Sequence, residues 1–138
     1  MNEHIYYINR CVELALIAKN KGESAVGSVL VFNGVIIGEG YEQSRQQKDV
    51  TRHAEVVAIL NAVADNYDCK GAILYSNIEP CILCSYVIRH YKIATVVFSK
   101  LCGELGGTNP QFNILSTNDI SSWAEAPKII LIQTDNLI

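Results

Sequence analysis

Two short runs in this chain bring together residue types that bind metal and move protons: His53-Ala54-Glu55 and Pro80-Cys81-Ile82-Leu83-Cys84. One imidazole and two thiolates make three zinc ligands, one fewer than a closed structural site uses. In a catalytic zinc centre the remaining position holds water. His53, Cys81 and Cys84 are therefore the candidate zinc ligands, and Glu55, two residues past the histidine, is the candidate catalytic carboxylate. Two thiolates cancel the formal charge of Zn2+, so water there is acidified less than at a site with three neutral histidines. Its pKa still falls from about 15.7 towards roughly 7–9, within reach of a carboxylate. Attack of that water on an amidine-like carbon would release ammonia, with Glu55 serving first as base and then as acid.

Other chemistry fits parts of this pattern. A Cys-x-x-Cys alone also suits a redox pair or half of a structural zinc knuckle. A closed structural zinc needs a fourth ligand, for which Cys11, Cys69 or Cys102 is available, and it leaves Glu55 without a role. Cys11 falls on the apolar stripe of an expected helix, an ordinary place for a buried free thiol. Cys69 and Cys102 fall in expected loops. His4 is near the start of the chain and is expected to be exposed. His90 is either a substrate contact or a residue closing its helix, where a cation is mildly favoured; spacing alone favours the second role.

The elements that must position these residues follow from periodicity and from residues that start and stop helices. A first helix is expected over residues 3–20, with Ile5, Ile8, Val12, Ala15 and Leu16 on one stripe. Residues 26–32 and 35–40 read as strands joined by Asn33-Gly34, a strong type I′ hairpin signal. The apolar run Val56, Val57, Ile59, Leu60 and Val63 places a helix over 54–64, with Thr51 as its expected N-cap. His53 and Glu55 can converge only at its first turn, because residues two apart diverge in mid-helix. A strand at 72–76 leads to a helix at 81–90, whose first turn suits Pro80 and lets Cys81 and Cys84 face one point. Helix N-termini also favour thiolates. A strand at 94–99 follows, then a Gly-rich polar loop at 100–116, a short helix at 118–125 and a last buried strand at 128–133. Strand–helix–strand order after the hairpin implies parallel pairing. The result is a mixed sheet between layers of helices.

The whole chain narrows the class of protein. At 138 residues it forms one domain, 1–138, with a single core. A hydrophobic fraction of 49% with 18% charged residues is globular and not disordered. No apolar run approaches a membrane span, and Met1-Asn2-Glu3-His4 lacks a secretory n-region, so no membrane partner is expected. Five cysteines without framework spacing, some of them thiolate ligands, point to a reducing cytoplasm. A net charge of −3 offers no global attraction to nucleic acid, though a local basic patch remains compatible with it.

The H-x-E…P-C-x-x-C pattern is the known signature of zinc nucleobase deaminases. The chain resembles the cytidine-deaminase superfamily, on the branch of bacterial tRNA adenosine deaminases, fungal-type cytosine deaminases and guanine deaminases. The resemblance covers about residues 6–99. It includes Val26-Gly27-Ser28-Val29-Leu30-Val31, Ile37-Gly38-Glu39-Gly40, Ile78-Glu79-Pro80-Cys81 and the stretch 88–98. It implies a five-stranded, three-layer α/β/α sandwich, usually as a homodimer. It also implies Zn2+ on His53, Cys81 and Cys84, with Glu55 as the proton shuttle. His90 falls where tRNA deaminases carry a histidine. Two features depart from the branch. Glu42 stands where an asparagine commonly contacts the base, and the region after Phe98 lacks the longer, often basic helical tail of tRNA deaminases.

These observations lead to an expected function: zinc-dependent hydrolytic deamination of a small amino-heterocycle such as a nucleobase, nucleoside, pterin or triazine. Glu42, Ala54 and His90 are the candidate substrate contacts. As a carboxylate, Glu42 would prefer a ring edge presenting two donors, as guanine or a pterin does, unless it is merely a solvated surface charge. Acidic composition and the missing basic tail make tRNA an unlikely partner on this reading. The alternatives are a tRNA-specific adenosine deaminase acting at the wobble position, or a non-catalytic zinc-binding module.

Overall fold

In the computed structural model, which describes residues 2–133, one five-stranded sheet lies between two layers of helices. The first helix, α1 (Asn2–Asn20), covers one face. The strands are β1 (Gly27–Phe32), β2 (Val35–Tyr41), β3 (Ile73–Ser76), β4 (Thr95–Phe98) and β5 (Lys128–Leu131). The order is β2-β1-β3-β4-β5, with β1 antiparallel to both β2 and β3, and β3, β4 and β5 mutually parallel. A single helical turn, α2 (Ser44–Gln47), follows the hairpin. The helices α3 (Ala54–Ala64) and α4 (Ile82–His90) pack on the second face. This is the three-layer sandwich with a mixed sheet that the sequence implies.

Alternation along the strands feeds both layers. Val29, Val31, Tyr75 and Val97 point towards α1 and pack with Tyr7, Ile8, Cys11 and Leu14. Leu30, Leu74, Val96 and Phe98 point the other way and pack with Ile59, Ala62 and Ile88 from α3 and α4. Each fully buried Leu or Val contributes about 1.5–3 kcal/mol. The hairpin turn is as expected: Asn33 and Gly34 both have positive φ, 51° and 75°. One extra residue in β2, where the register slips between Leu30 and Val31, makes a bulge.

Several expectations need correction. The buried stripe of α1 runs through Ile8, Cys11, Ala15 and Ala18, while Ile5 and Leu16 are exposed. Small side chains let α1 approach the sheet closely. A Cβ at Gly27 would lie 2.2 Å from the Cys11 carbonyl oxygen, so the larger residues turn outward. Thr51 does not cap α3. His53 occupies the N-cap in extended backbone, whereas Thr51 hydrogen-bonds Asp49. Cys81 is likewise the N-cap of α4, so Pro80 lies just outside the helix.

No helix forms over 118–125. The guanidinium of Arg89, which is buried on α4, donates to the carbonyls of Ile114, Thr117 and Ala124 at 2.8, 2.8 and 3.1 Å and stacks over Trp123. These carbonyls are thereby held in an irregular loop. The last strand, β5, is a half-exposed edge and not a buried strand. No described helix is long and apolar enough to cross a membrane.

Candidate metal centre and cleft

The parallel strands and the hairpin bring four connections to one edge of the sheet. The segment before β1 and those after β2, β3 and β4 surround a cleft of about 410 Å³, roofed by the N-termini of α3 and α4. It is lined by Ser24 and Val26 before β1, Glu42 after β2, His53 and Glu55 at α3, Ile78 and Glu79 after β3, Cys81 and Cys84 at α4, and Lys100 to Cys102 after β4. Ligands of open α/β sheets commonly bind in such a crevice beyond the carboxyl ends of parallel strands.

Close packing sets the position of α3. A Cβ on Gly40 would come within 2.5 Å of the Ala54 carbonyl oxygen, and one on Gly38 within 2.2 Å of that of Ala58. Only glycine at these β2 positions lets the helix backbone rest directly on the strand. That contact holds the first turn of α3, and with it His53 and Glu55, against the sheet edge.

His53 Nδ1 lies 3.4 Å from both Cys81 Sγ and Cys84 Sγ, and the two sulfurs are 3.8 Å apart. Three donors of a zinc tetrahedron, with Zn–S of ~2.3 Å and Zn–N of ~2.0 Å, stand about 3.8 Å apart for the sulfur pair and about 3.5 Å for sulfur and nitrogen. The observed triangle matches that spacing, so these residues fit zinc. They are the only such group of three or more among the described residues. Cys11 and Cys69 are buried within the core, and Cys102, although on the rim of the cleft, is outside the cluster.

Electrostatics agree with a cation-binding role. The Cys81 thiol is pulled down to about 4, mainly by hydrogen bonding with Cys84 and then with His53. Cys84 is pushed up by its Cys81 partner and by burial, and His53 is raised to about 9 chiefly by the Cys81 sulfur. Without a metal, protons must hold this ring of donors together; a dication in their midst would displace them.

Glu55 is buried, and burial pushes its carboxyl up to about 7. The Ser76 hydroxyl donates to Oε2 at 3.2 Å, and Oε1 lies 3.6 Å from Cys84 Sγ. The carboxylate thus stands beside the metal donors with its own proton affinity near neutrality.

Glu42 reaches the same cleft, as its candidacy requires. Ala54 and His90 do not. Ala54 is fully buried in the contact with β2. His90 is exposed at the far end of α4, against Tyr86 and Tyr91. Its place at a helix C-terminus is the structural role that spacing favoured.

Sequence reasoning missed Ser76, Asn77 and Glu79 as site-building residues. Asn77 accepts from Gly27 N–H and donates to the Ala25 carbonyl, fixing the start of β1. Glu79 accepts from the backbone N–H groups of Cys102 and Thr108 and from the Thr108 hydroxyl, which folds the loop after β4 over α4. Those partners are 23 and 29 residues away, so no local spacing reveals them. The one local hint is an acidic residue directly before Pro80-Cys81.

A family model described as the cytidine and deoxycytidylate deaminase zinc-binding region matches residues 1–100. The chain is 38% identical over 112 residues to a tRNA-specific adenosine deaminase of Aquifex aeolicus, covering 80% of this chain and 74% of that protein. It superposes with a TM-score of 0.85 and 25% identity on a chain from a structural study of A-to-I editing by tRNA:A34 deaminases at the wobble position, covering 94% of this chain and 99% of that one. A guanine deaminase from Bacillus subtilis matches with a TM-score of 0.66 and 35% identity over 71% of this chain and 64% of that one. The expectation of a small-molecule partner, with tRNA unlikely, is overturned by the tRNA-specific relatives. It rested on the acidic composition and the missing basic tail, whereas phosphate contacts depend on charge placed locally.

Proposed function

The chain belongs to the cytidine and deoxycytidylate deaminase zinc-binding family and is a hydrolytic deaminase, and from that membership we propose that it deaminates adenosine to inosine in RNA of the transfer-RNA type. The observation that carries this reading is the 38% identity to the Aquifex aeolicus tRNA-specific adenosine deaminase across most of both chains. Local charge supports it. The segment between Glu42 and His53, which both line the cleft, is closed by a Gln43 N–H bond to the Arg52 carbonyl and carries Arg45, Lys48 and Arg52 against a single acid, Asp49, which pairs with Arg52. Lys100 stands exposed on another wall. Such side chains neutralise phosphates whatever the total charge.

In this reading His53, Cys81 and Cys84 hold zinc, which when bound supplies Lewis acidity that brings water within reach of a carboxylate base. Glu55 does the proton work. Its Oε2 is fixed by Ser76 while Oε1 faces the donor cluster, and a carboxyl poised near 7 both accepts and returns a proton at neutral pH. It takes one proton from the attacking water and gives it to the ring nitrogen beside the reacting carbon, then takes the second from the hydroxyl now on that carbon and gives it to the departing amine. Water and adenosine become inosine and ammonia. Thiolate ligands fit a reducing, cytoplasmic setting.

The test is inosine formation in an anticodon stem-loop with adenosine at the wobble position, using zinc-loaded protein at moderate salt. Conversion with one ammonia released per inosine is expected. No conversion, with ammonia released from free bases instead, would overturn the reading.

A further inference from the structure

Glu42 is only 8% exposed, yet its carboxylate is half used. Ser44 Oγ donates to Oε2 at 2.6 Å, while Oε1 has no partner among the described residues and no salt bridge joins Glu42 to Lys100 across the cleft. Glu42 lines the cleft it shares with His53 and Glu55, so this oxygen offers an acceptor to a donor on whatever fills that cleft.

Adenine has no such donor to spare. Its amine is the leaving group and must face Glu55 and the metal donors together with the neighbouring ring nitrogen. Its other edge atoms, N3 and N7, are acceptors that would repel a carboxylate. In an internal RNA nucleotide the 3′ and 5′ oxygens are esterified, which leaves the ribose 2′-hydroxyl as the one free donor. Carboxylates bind that hydroxyl in dinucleotide sites, and it is the group by which proteins tell RNA from DNA.

We propose that Glu42 accepts a hydrogen bond from the 2′-hydroxyl of the reacting nucleotide and so makes this site ribose-specific. The inference rests on the RNA adenosine reading and replaces the two-donor ring edge expected from sequence, which belonged to the small-molecule substrate.

The experiment measures kcat/KM for the zinc-loaded wild-type protein on three anticodon stem-loops that differ only at the target sugar: ribose, 2′-deoxyribose, and 2′-fluoro, which cannot donate. The ribose substrate is expected to lead the other two by about 10- to 100-fold, the scale of a charge-assisted hydrogen bond. Glu42→Ala should bring the three rates together by slowing the ribose substrate alone, and Glu42→Gln should keep part of the preference. Zinc content and melting curves report whether the variants fold, and the substrate series on the wild-type protein needs no variant. Equal rates on all three sugars would overturn this inference alone, as would a 2′-fluoro substrate that matches ribose. Absence of turnover on the ribose stem-loop would overturn the RNA reading and this inference with it.

Discussion

Glu55 is a carboxylate held against its preference for water. Burial raises its proton affinity, the Ser76 hydroxyl orients one oxygen, and the other faces Cys84. Glu55→Ala should therefore keep zinc and fold while losing about 10²–10⁴-fold in kcat. Equimolar zinc by atomic absorption, with a rate near wild type, would contradict its role. The five cysteines divide by environment in a second prediction. Cys102 is exposed, whereas Cys11 is buried and its thiol is pushed far up by desolvation, and Cys69 is also buried. In native zinc-loaded protein a thiol reagent should modify Cys102 alone. Chelation should expose Cys81 and Cys84 next, and Cys11 and Cys69 should react only on unfolding. Reaction of Cys81 before chelation, followed by mass spectrometry, would argue against its metal role.

At the scale of elements, the cleft depends on how closely α3 rests on β2. A Cβ at Gly40 would meet the Ala54 oxygen at 2.5 Å and the Ala58 nitrogen at 2.6 Å, both rigid helix backbone. Gly40→Ala should cost about 1–3 kcal/mol through overpacking and, by moving the first turn of α3, weaken zinc affinity. Unchanged melting and chelator competition would show that α3 is not held this way. The sequence made most elements legible because their signals are local: the Asn33-Gly34 turn, the apolar run of α3, and the ligand runs at two helix starts. Where it misled, a distant partner decided. Cys11, Leu14 and Ala15 meet Gly27, so the buried α1 stripe runs over Cys11, Ala15 and Ala18 and not over Ile5 and Leu16. Arg89 takes the carbonyls of Ile114, Thr117 and Ala124, so the segment 118–125 stays irregular. The clustering of His53, Cys81 and Cys84 was readable from spacing, whereas the partners of Glu79 in the loop after β4 were not.

For the whole molecule, zinc on His53, Cys81 and Cys84 would strap α3 to α4. His53 opens α3, while Cys81 and Cys84 open α4. Metal that binds only the folded state at about 100 to 1,000 times its Kd adds about 2.7 to 4.1 kcal/mol. Removing zinc, or substituting Cys81→Ala or Cys84→Ala, should lower the melting temperature and abolish activity together. A chelated protein that melts with the holoprotein would mean the metal is not structural to the cleft. The chain's net charge of −3 belongs to this scale, and a sum at this scale does not locate where phosphates would bind. Lys100 lines the cleft, and Arg45, Lys48 and Arg52 lie on the segment that joins its Glu42 and His53 walls, which a sum over the chain conceals.

An open zinc centre has three protein ligands and one free position, and X-ray absorption at the zinc edge tests for it most directly. The arrangement of His53, Cys81 and Cys84 predicts two sulfur neighbours at ~2.3 Å and two lighter neighbours at ~2.0–2.1 Å, one of them an imidazole nitrogen. A spectrum with three or four sulfurs, unchanged when substrate analogue is added, would mean a closed structural site and would contradict the account.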